Sequence, residues 1–412
     1  MFSVLRRPVF RRLFLAAVVA LLGTGLASVA LGLLAFRLAG DHAGQVLGTV
    51  FAIKMVAYVL VAPVAAAALS RLGRRTVLIG SDILRLTVAL GLPFVTQVWQ
   101  VYLLVFVLQA ASATFLPTVQ AVLPRILPDE DDYTAALSLS RLIDDLETVL
   151  SPMLAAALLL LIPAAALFFG TAAGFAGSAL LVLSLGSRAL GGGSAPPDPT
   201  AGEEEEGAFL SRVGGGVRLF LATPGLRPVL LLNLAVAAVV SFVLVQTVVI
   251  GRSVLGGGDD LVAVLLAVNG AGSMAAALLL PRLLRRTPDR TVLLAGVAVL
   301  VVAGAAVAAC LAGHVGWLPI AMLWFVIGVG WCAAETPIGR VIRRNVPAAA
   351  LPSAFAAQFS LSHACWLITY PLAGWLGAAD LGRCAAVLAG VALLAGIGVV
   401  ATWPARRPAV VR

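Results

Sequence analysis

The sequence predicts an all-α polytopic membrane protein with twelve transmembrane helices in two six-helix bundles. Three observations carry this. Hydrophobic residues make up 61% of the 412 residues and charged residues only 11%, with a mean hydropathy of +1.06; a soluble chain of this length needs far more charge to cover its surface. The apolar residues fall into repeated runs of about 20, the length that crosses a hydrocarbon core of about 30 Å. The basic residues collect in alternate loops between those runs. The runs are continuous rather than alternating with period two, which excludes an outer-membrane barrel.

The spans are placed in order at 13–36, 46–69, 77–96, 98–121, 136–162, 165–187, 226–250, 260–284, 291–312, 317–339, 352–377 and 382–403. Span one follows Arg6, Arg7, Arg11 and Arg12 and is too long for the apolar core of a cleavable signal, so it is read as a helix. Span two contains Lys54, the one lysine of the chain, and ends at a basic turn; span three opens with Asp82 and Arg85. Span four opens beside Trp99 and is followed by the loop Leu123-Pro124-Arg125, and span five has an amphipathic first half carrying Arg141, Asp144, Asp145 and Glu147. After span six comes a long loop, 188–225, with Gly191-Gly192-Gly193-Ser194-Ala195-Pro196-Pro197 and the acidic run Glu203 to Glu206. This is the composition of a flexible, solvated linker. It divides the chain into an N-terminal bundle (1–187), a cytoplasmic linker (188–225) and a C-terminal bundle (226–412). Of the later spans, ten carries Glu335, eleven carries His363 and Trp366, and twelve ends at Trp403.

Charge sets the orientation. With the N-terminus inside, the inner segments hold clusters such as Arg71, Arg74, Arg75, then Arg282, Arg285, Arg286, Arg290, then Arg340, Arg343, Arg344. The outer loops hold only Arg37, Arg252 and Arg383. Both termini are therefore expected in the cytoplasm, with the chain in the inner (plasma) membrane. The net charge of +9 is accounted for by these loops, so a nucleic-acid partner is not expected. The four cysteines lie in or at the edge of apolar runs without a CxxC pair and read as buried thiols. The Gly-rich stretches lack the phosphate-cradling spacing, and neither HExxH nor GxSxG occurs. No enzyme activity and no cofactor are expected, and a monomer is.

The halves echo each other. Arg71-Leu72-Gly73-Arg74-Arg75-Thr76-Val77-Leu78 follows span two, and Arg282-Leu283-Leu284-Arg285-Arg286, then Arg290-Thr291-Val292-Leu293, follows span eight. Basic turns at equivalent places suggest an internal repeat, as in transporters built from paired bundles.

On these residues the sequence resembles the major facilitator superfamily. Ser70-Arg71-Leu72-Gly73-Arg74-Arg75 is similar to its loop between spans two and three, with Ser70 where an acid is usual. Asp82 and Arg85 stand where the drug-exporter branch often has an Asp and an Arg, and Asp82 is expected to supply the missing acid. Leu123 to Glu130, Ser151-Pro152-Met153-Leu154-Ala155-Ala156 and Gly216-Val217-Arg218-Leu219-Phe220 resemble stretches of the multidrug and siderophore exporters; the second follows the antiporter pattern G-P-x-x-G-G with Ser and Ala for Gly. Phe359 to Trp366 looks like the same span of nickel- and cobalt-resistance exporters. The resemblance covers nearly the whole chain. It implies the major facilitator fold, alternating access, and export of an amphipathic drug or metabolite by proton antiport, the chemistry of multidrug-resistance efflux. The partners implied are a small-molecule substrate, protons and the lipid bilayer.

Ionisable groups at bilayer depth cost roughly 2.5–3.5 kcal/mol each on insertion scales, so they usually face protein or a watery cavity. Asp144, Asp145 and Glu147 crowd against Arg141 on span five, an arrangement suited to holding one proton or to being a wet helix extension. Lys54 is expected to pair with an acid at similar depth. With Asp82 and Glu335, these form the expected proton-coupling set; Glu335 is also placed to pair with Arg340 or Arg343 at its helix end. Arg71, Gly73, Arg74, Arg75 and Arg85 form the expected gating loop. Asn233, Gln246, Asn269 and Gln358 either line a substrate cavity or bond between helices, and Trp366 adds an apolar wall. His363, with Cys332, Cys365 and Glu335 nearby, is of the ligand type nickel or cobalt accepts, although 363 and 365 point to different faces. Divalent-metal efflux and a non-transporting membrane sensor or scaffold are the alternative readings.

Overall fold

The computed structural model describes residues 2–58, 72–127, 129, 136, 139, 151, 153–186, 218–313, 316–347 and 350–403. Among these residues the secondary structure is entirely helical. Span one is the helix Pro8–Ala39, and span two begins at Ala43–Val56. Spans three, four and six are Arg74–Gly91, Val98–Ile126 and Leu167–Leu183. Spans seven to ten are Arg227–Val249, Asp259–Arg286, Asp289–Ala312 and Trp317–Glu335. A short helix, Ile338–Asn345, leads to spans eleven and twelve, Leu351–Ala379 and Leu381–Thr402. Most of span five and of the linker lies outside the described residues.

The helices obey bilayer chemistry. Large apolar side chains are turned outward, among them Phe94, Leu161, Leu180, Leu278, Val302, Ile368 and Leu394. Lipid solvates these as well as a protein core would, so the contacts between helices go to small residues instead. Gly23 of span one and Gly174 of span six lie so close that a methyl group on Gly174 would stand 2.9 Å from the Val19 carbonyl oxygen. Half-buried and buried hydroxyls bond back one turn: Thr24 donates to the Ala20 carbonyl, Ser28 to that of Thr24 and the buried Ser112 to that of Leu108. Backbone bonding runs within each helix, as hydrocarbon requires, with interior breaks in the ladder at Pro281 of span eight and Pro371 of span eleven.

The chain forms two compact units, residues 1–207 with 257–267, and residues 208–256 with 268–412. In the first, span six packs along spans one and three, span four along span three, and span two along span one. In the second, span nine packs along spans ten and twelve, and span seven along spans eleven and twelve.

Candidate functional site

The first unit holds a charged cluster inside its helices. Asp82 and Arg85 share a face of span three, and Arg85 donates to the Asp82 carboxylate. The other Asp82 oxygen accepts from Ser178 of span six at 2.7 Å. The guanidinium lies over the rings of Phe115 (4.3 Å) and Phe175 (4.6 Å), on spans four and six. Asp82 is 0% exposed and Arg85 3%. Two charges are thus held in an apolar bundle by mutual pairing, one hydroxyl and two aromatic faces. Sequence reasoning selected Asp82 and Arg85. It missed Ser178, Phe115 and Phe175, which sit in apolar runs that carry no mark of a partner.

At the end of span three that begins with Arg74, the basic turn does a separate job. Gly73 has extended backbone and precedes the first helical turn. Arg75 donates to the Leu183 carbonyl at 2.8 Å, and Arg12 of span one donates to the Ser184 carbonyl at 2.9 Å. Both arginines cap the C-terminal end of span six, where the last carbonyls lack helix partners and the helix dipole favours positive charge. Arg71 lies outside the described residues, as do Arg141, Asp144, Asp145 and Glu147. Lys54 lies half-buried in the last turn of the helix Ala43–Val56.

In the second unit the four selected amides are spent between helices. Asn233 and Gln358 exchange two hydrogen bonds, at 3.1 and 2.9 Å, between spans seven and eleven. Gln246 donates to the Ala373 carbonyl at 2.7 Å. Asn269 donates to the Trp324 carbonyl at 2.8 Å, and the Trp324 indole N–H donates to the Thr247 hydroxyl at 2.8 Å. Of the two uses expected for these amides, bonding between helices is what their geometry displays. Asp289, buried at the start of span nine, takes Arg340 at 3.2 Å and Arg344 at 2.5 Å from the short helix that follows span ten. The spacing of Arg340 and Arg344, four apart on one helical face, was the available signal for this fork.

Glu335 closes span ten. Its carboxylate accepts from the Trp331 indole N–H at 2.5 Å. Trp331 meets Trp366 of span eleven, ring centroids 6.3 Å apart, and Trp366 stacks on Tyr370 at 5.0 Å. His363 lies on the Phe359 ring at 3.9 Å, with Nδ1 2.7 Å from the Phe359 carbonyl oxygen. Cys332 contacts the Thr336 hydroxyl at 3.4 Å. Among the described residues, no three His, Cys, Asp or Glu side chains converge as a metal site.

Comparison with known proteins agrees with this architecture. Residues 13–369 match the sequence profile of the Major Facilitator Superfamily. Over 223 residues the chain is 27% identical to the uncharacterized MFS-type transporter YfiS of Bacillus subtilis (strain 168), a match that covers 53% of this chain and 51% of that protein. The fold is similar to that of the nucleoside transporter NupG, with a TM-score of 0.69, 14% identity and coverage of 96% of this chain and 100% of that one. It is equally similar to a POT family transporter crystallised with 5-aminolevulinic acid, with a TM-score of 0.72, 12% identity and 96% coverage of both chains. The profile match spans most of the sequence, and the chain belongs to the major facilitator superfamily of membrane transporters.

Proposed function

We propose that this protein exports a small amphipathic molecule by proton-coupled alternating access. The moving parts are two six-helix bundles, residues 1–187 and 226–412, joined by the cytoplasmic linker 188–225. Both termini lie in the cytoplasm, the side on which the arginine-rich loops are retained.

The observation that carries the reading is the Asp82–Arg85 pair, sealed between spans three, four and six. A carboxylate paired with a cation buried beside it cannot take a proton without leaving that cation uncompensated. Protonation of Asp82 therefore alters the packing preference of span three against span six through its bond with Ser178. A ligand or proton shifts a conformational equilibrium only by binding one state better, and this pair gives the proton such a difference. Export rather than import is supported by the antiporter-like stretch Ser151 to Ala156.

The test is transport in inverted vesicles. Substrate accumulation should require an inwardly acidic gradient and collapse when a protonophore dissipates it. Undiminished accumulation without a gradient overturns the coupling, and accumulation only in right-side-out vesicles overturns the direction.

A further inference from the structure

Spans three and nine open on the same four residues, Arg75-Thr76-Val77-Leu78 and Arg290-Thr291-Val292-Leu293. In each half of the chain this arginine stands at the end of that half's last span. Arg75 donates to the Leu183 carbonyl of span six. Arg290 lies over the Trp403 ring, 5.9 Å from its centroid, where span twelve ends. Tryptophan collects at the level of the lipid headgroups, so Trp403 marks that level in its own half. The repeat assigns Arg75 the same level in the other.

In the first unit a second arginine joins the first. Arg12 of span one donates to the Ser184 carbonyl, next along the chain from the one that Arg75 takes. Leu13, Leu78, Val182 and Leu185 pack in one buried cluster, which holds the starts of spans one and three against the end of span six. Each guanidinium has five N–H donors in a planar fork, more than these carbonyls use. The Arg75 Nε is buried without a hydrogen-bond partner. Among the described residues, neither Arg12 nor Arg75 is paired with a carboxylate. A helix C-terminus carries about half a negative charge, so two arginines leave an excess of roughly one and a half positive charges there. The flank beside this excess faces lipid. Leu180 and Leu183 of span six are exposed, as is Leu15, three positions from Arg12 on span one.

We propose that Arg12 and Arg75 bind the phosphate of an anionic phospholipid, whose acyl chains lie along the exposed leucines of spans one and six. Arginine meets phosphate through parallel, charge-assisted N–H bonds, and basic pockets between membrane helices hold lipid headgroups in this way. A zwitterionic lipid brings its own cation to a site that already has an excess, so it gains less. A free phosphate ester has no chains to lay on the leucines and forfeits that apolar contact. The bound headgroup bridges spans one and three at the end of span six. This site is independent of the proposed transport reaction, since binding needs neither a gradient nor a substrate.

The experiment titrates the purified full-length protein in detergent with phosphatidylglycerol and with phosphatidylcholine of the same chains, and reads the bound lipid by native mass spectrometry. Phosphatidylglycerol should bind about tenfold more tightly than phosphatidylcholine. The double variant Arg12→Gln, Arg75→Gln keeps an N–H donor for each carbonyl and should lose about tenfold in phosphatidylglycerol affinity. Arg12→Lys with Arg75→Lys should retain most of the binding. Arg285→Gln with Arg286→Gln removes the same charge from the end of span eight and should leave affinity within about twofold of the parent. Equal affinity for the two lipids, or full affinity in the Arg12→Gln, Arg75→Gln protein, overturns the site. So does an equal loss in the Arg285→Gln, Arg286→Gln protein, which would make the attraction a property of the whole basic surface. Displacement of the lipid by millimolar glycerol 3-phosphate overturns the lipid as occupant in favour of a soluble phosphate ester. Binding that emerges only when Glu203 to Glu206 are replaced by Gln overturns it in favour of the acidic linker.

Discussion

Asp82 and Arg85, three residues apart on span three, form an ion pair closed to solvent on every side. Its stability follows from what each partner loses if the other is removed. A buried pair gains little over a well-packed apolar replacement, yet removing one partner costs about 3–5 kcal/mol because a bare charge is left behind. Asp82→Asn should therefore lower the thermal stability of the purified protein sharply. The double variant Asp82→Asn, Arg85→Met should recover most of the loss. Thermal unfolding of the three proteins in one detergent checks this, and equal or additive losses would contradict it.

The Arg85 guanidinium also rests on Phe115 and Phe175. A desolvated cation over an aromatic face is worth up to about 2 kcal/mol. Phe175→Leu keeps an apolar side chain of similar size but removes the ring face. Its cost should be about 1–2 kcal/mol in the parent and smaller in an Arg85→Met background, where only the packing difference remains. A loss of the same size in both backgrounds would show that the ring acts by volume alone.

How far the sequence displayed these features depends on the kind of force involved. The helices follow from apolar run length, and the described ones coincide with the expected spans because hydrocarbon thickness sets their size. Span ten ends at Glu335, and the chain restarts as the short helix Ile338–Asn345, since Pro337 cannot donate a backbone bond to continue the ladder. Asp82 and Arg85 were legible because a charge in an apolar run is rare enough to need a reason. Ser178 was not legible, since a serine in a small-residue helix looks like any packing residue. The amides Asn233 and Gln358 were visible as polar residues, but their mutual pairing depends on a separation of 125 positions in the chain, which no local pattern encodes. The acids Asp144, Asp145 and Glu147 of span five, expected in the coupling set from the sequence, lie outside the described residues.

Close helix approach gives a second kind of prediction. A methyl group at Gly328 would lie 2.0 Å from the Asn269 carbonyl oxygen, and one at Gly80 would meet nothing within 4 Å. Gly328→Ala must separate spans eight and ten or shift backbone, at a cost of about 1–3 kcal/mol or more. Gly80→Ala adds no contact and removes the helix penalty of glycine, a gain of about 0.5–1 kcal/mol. The two variants should move the unfolding midpoint in opposite directions. Gly328→Ala should also weaken the Asn269 bond to the Trp324 carbonyl, which the near-ultraviolet circular dichroism of the tryptophans will register.

Thr247 and Trp324 provide a test in which chemistry and volume separate. The Thr247 hydroxyl accepts from the buried indole N–H and itself donates to the Val243 carbonyl. Thr247→Val keeps the shape but strands the indole donor, and an unsatisfied buried donor costs about 1–3 kcal/mol. Thr247→Ser preserves the acceptor and loses only a methyl group. The valine variant should therefore be the less stable of the two, although it is the larger and more apolar residue.

The fork of Arg340 and Arg344 on Asp289 joins the start of span nine to the short helix before span eleven. Each arginine side chain is close to half exposed, while the Asp289 side chain is 7% exposed. Loss of one arginine leaves the carboxylate paired with the other, so Arg340→Ala and Arg344→Ala should each cost no more than about 1 kcal/mol. Replacing both exposes a buried carboxylate to an apolar surround without a counter-charge, and the pair of substitutions should cost clearly more than the sum of the two. High salt distinguishes the cause. At 1 M ionic strength the screening length is about 3 Å, which weakens the exposed arginines in solution but reaches the buried carboxylate poorly. The excess cost in the double variant should therefore persist in 1 M sodium chloride, whereas an excess that vanishes there would mean that Asp289 is solvated and the fork contributes only surface attraction.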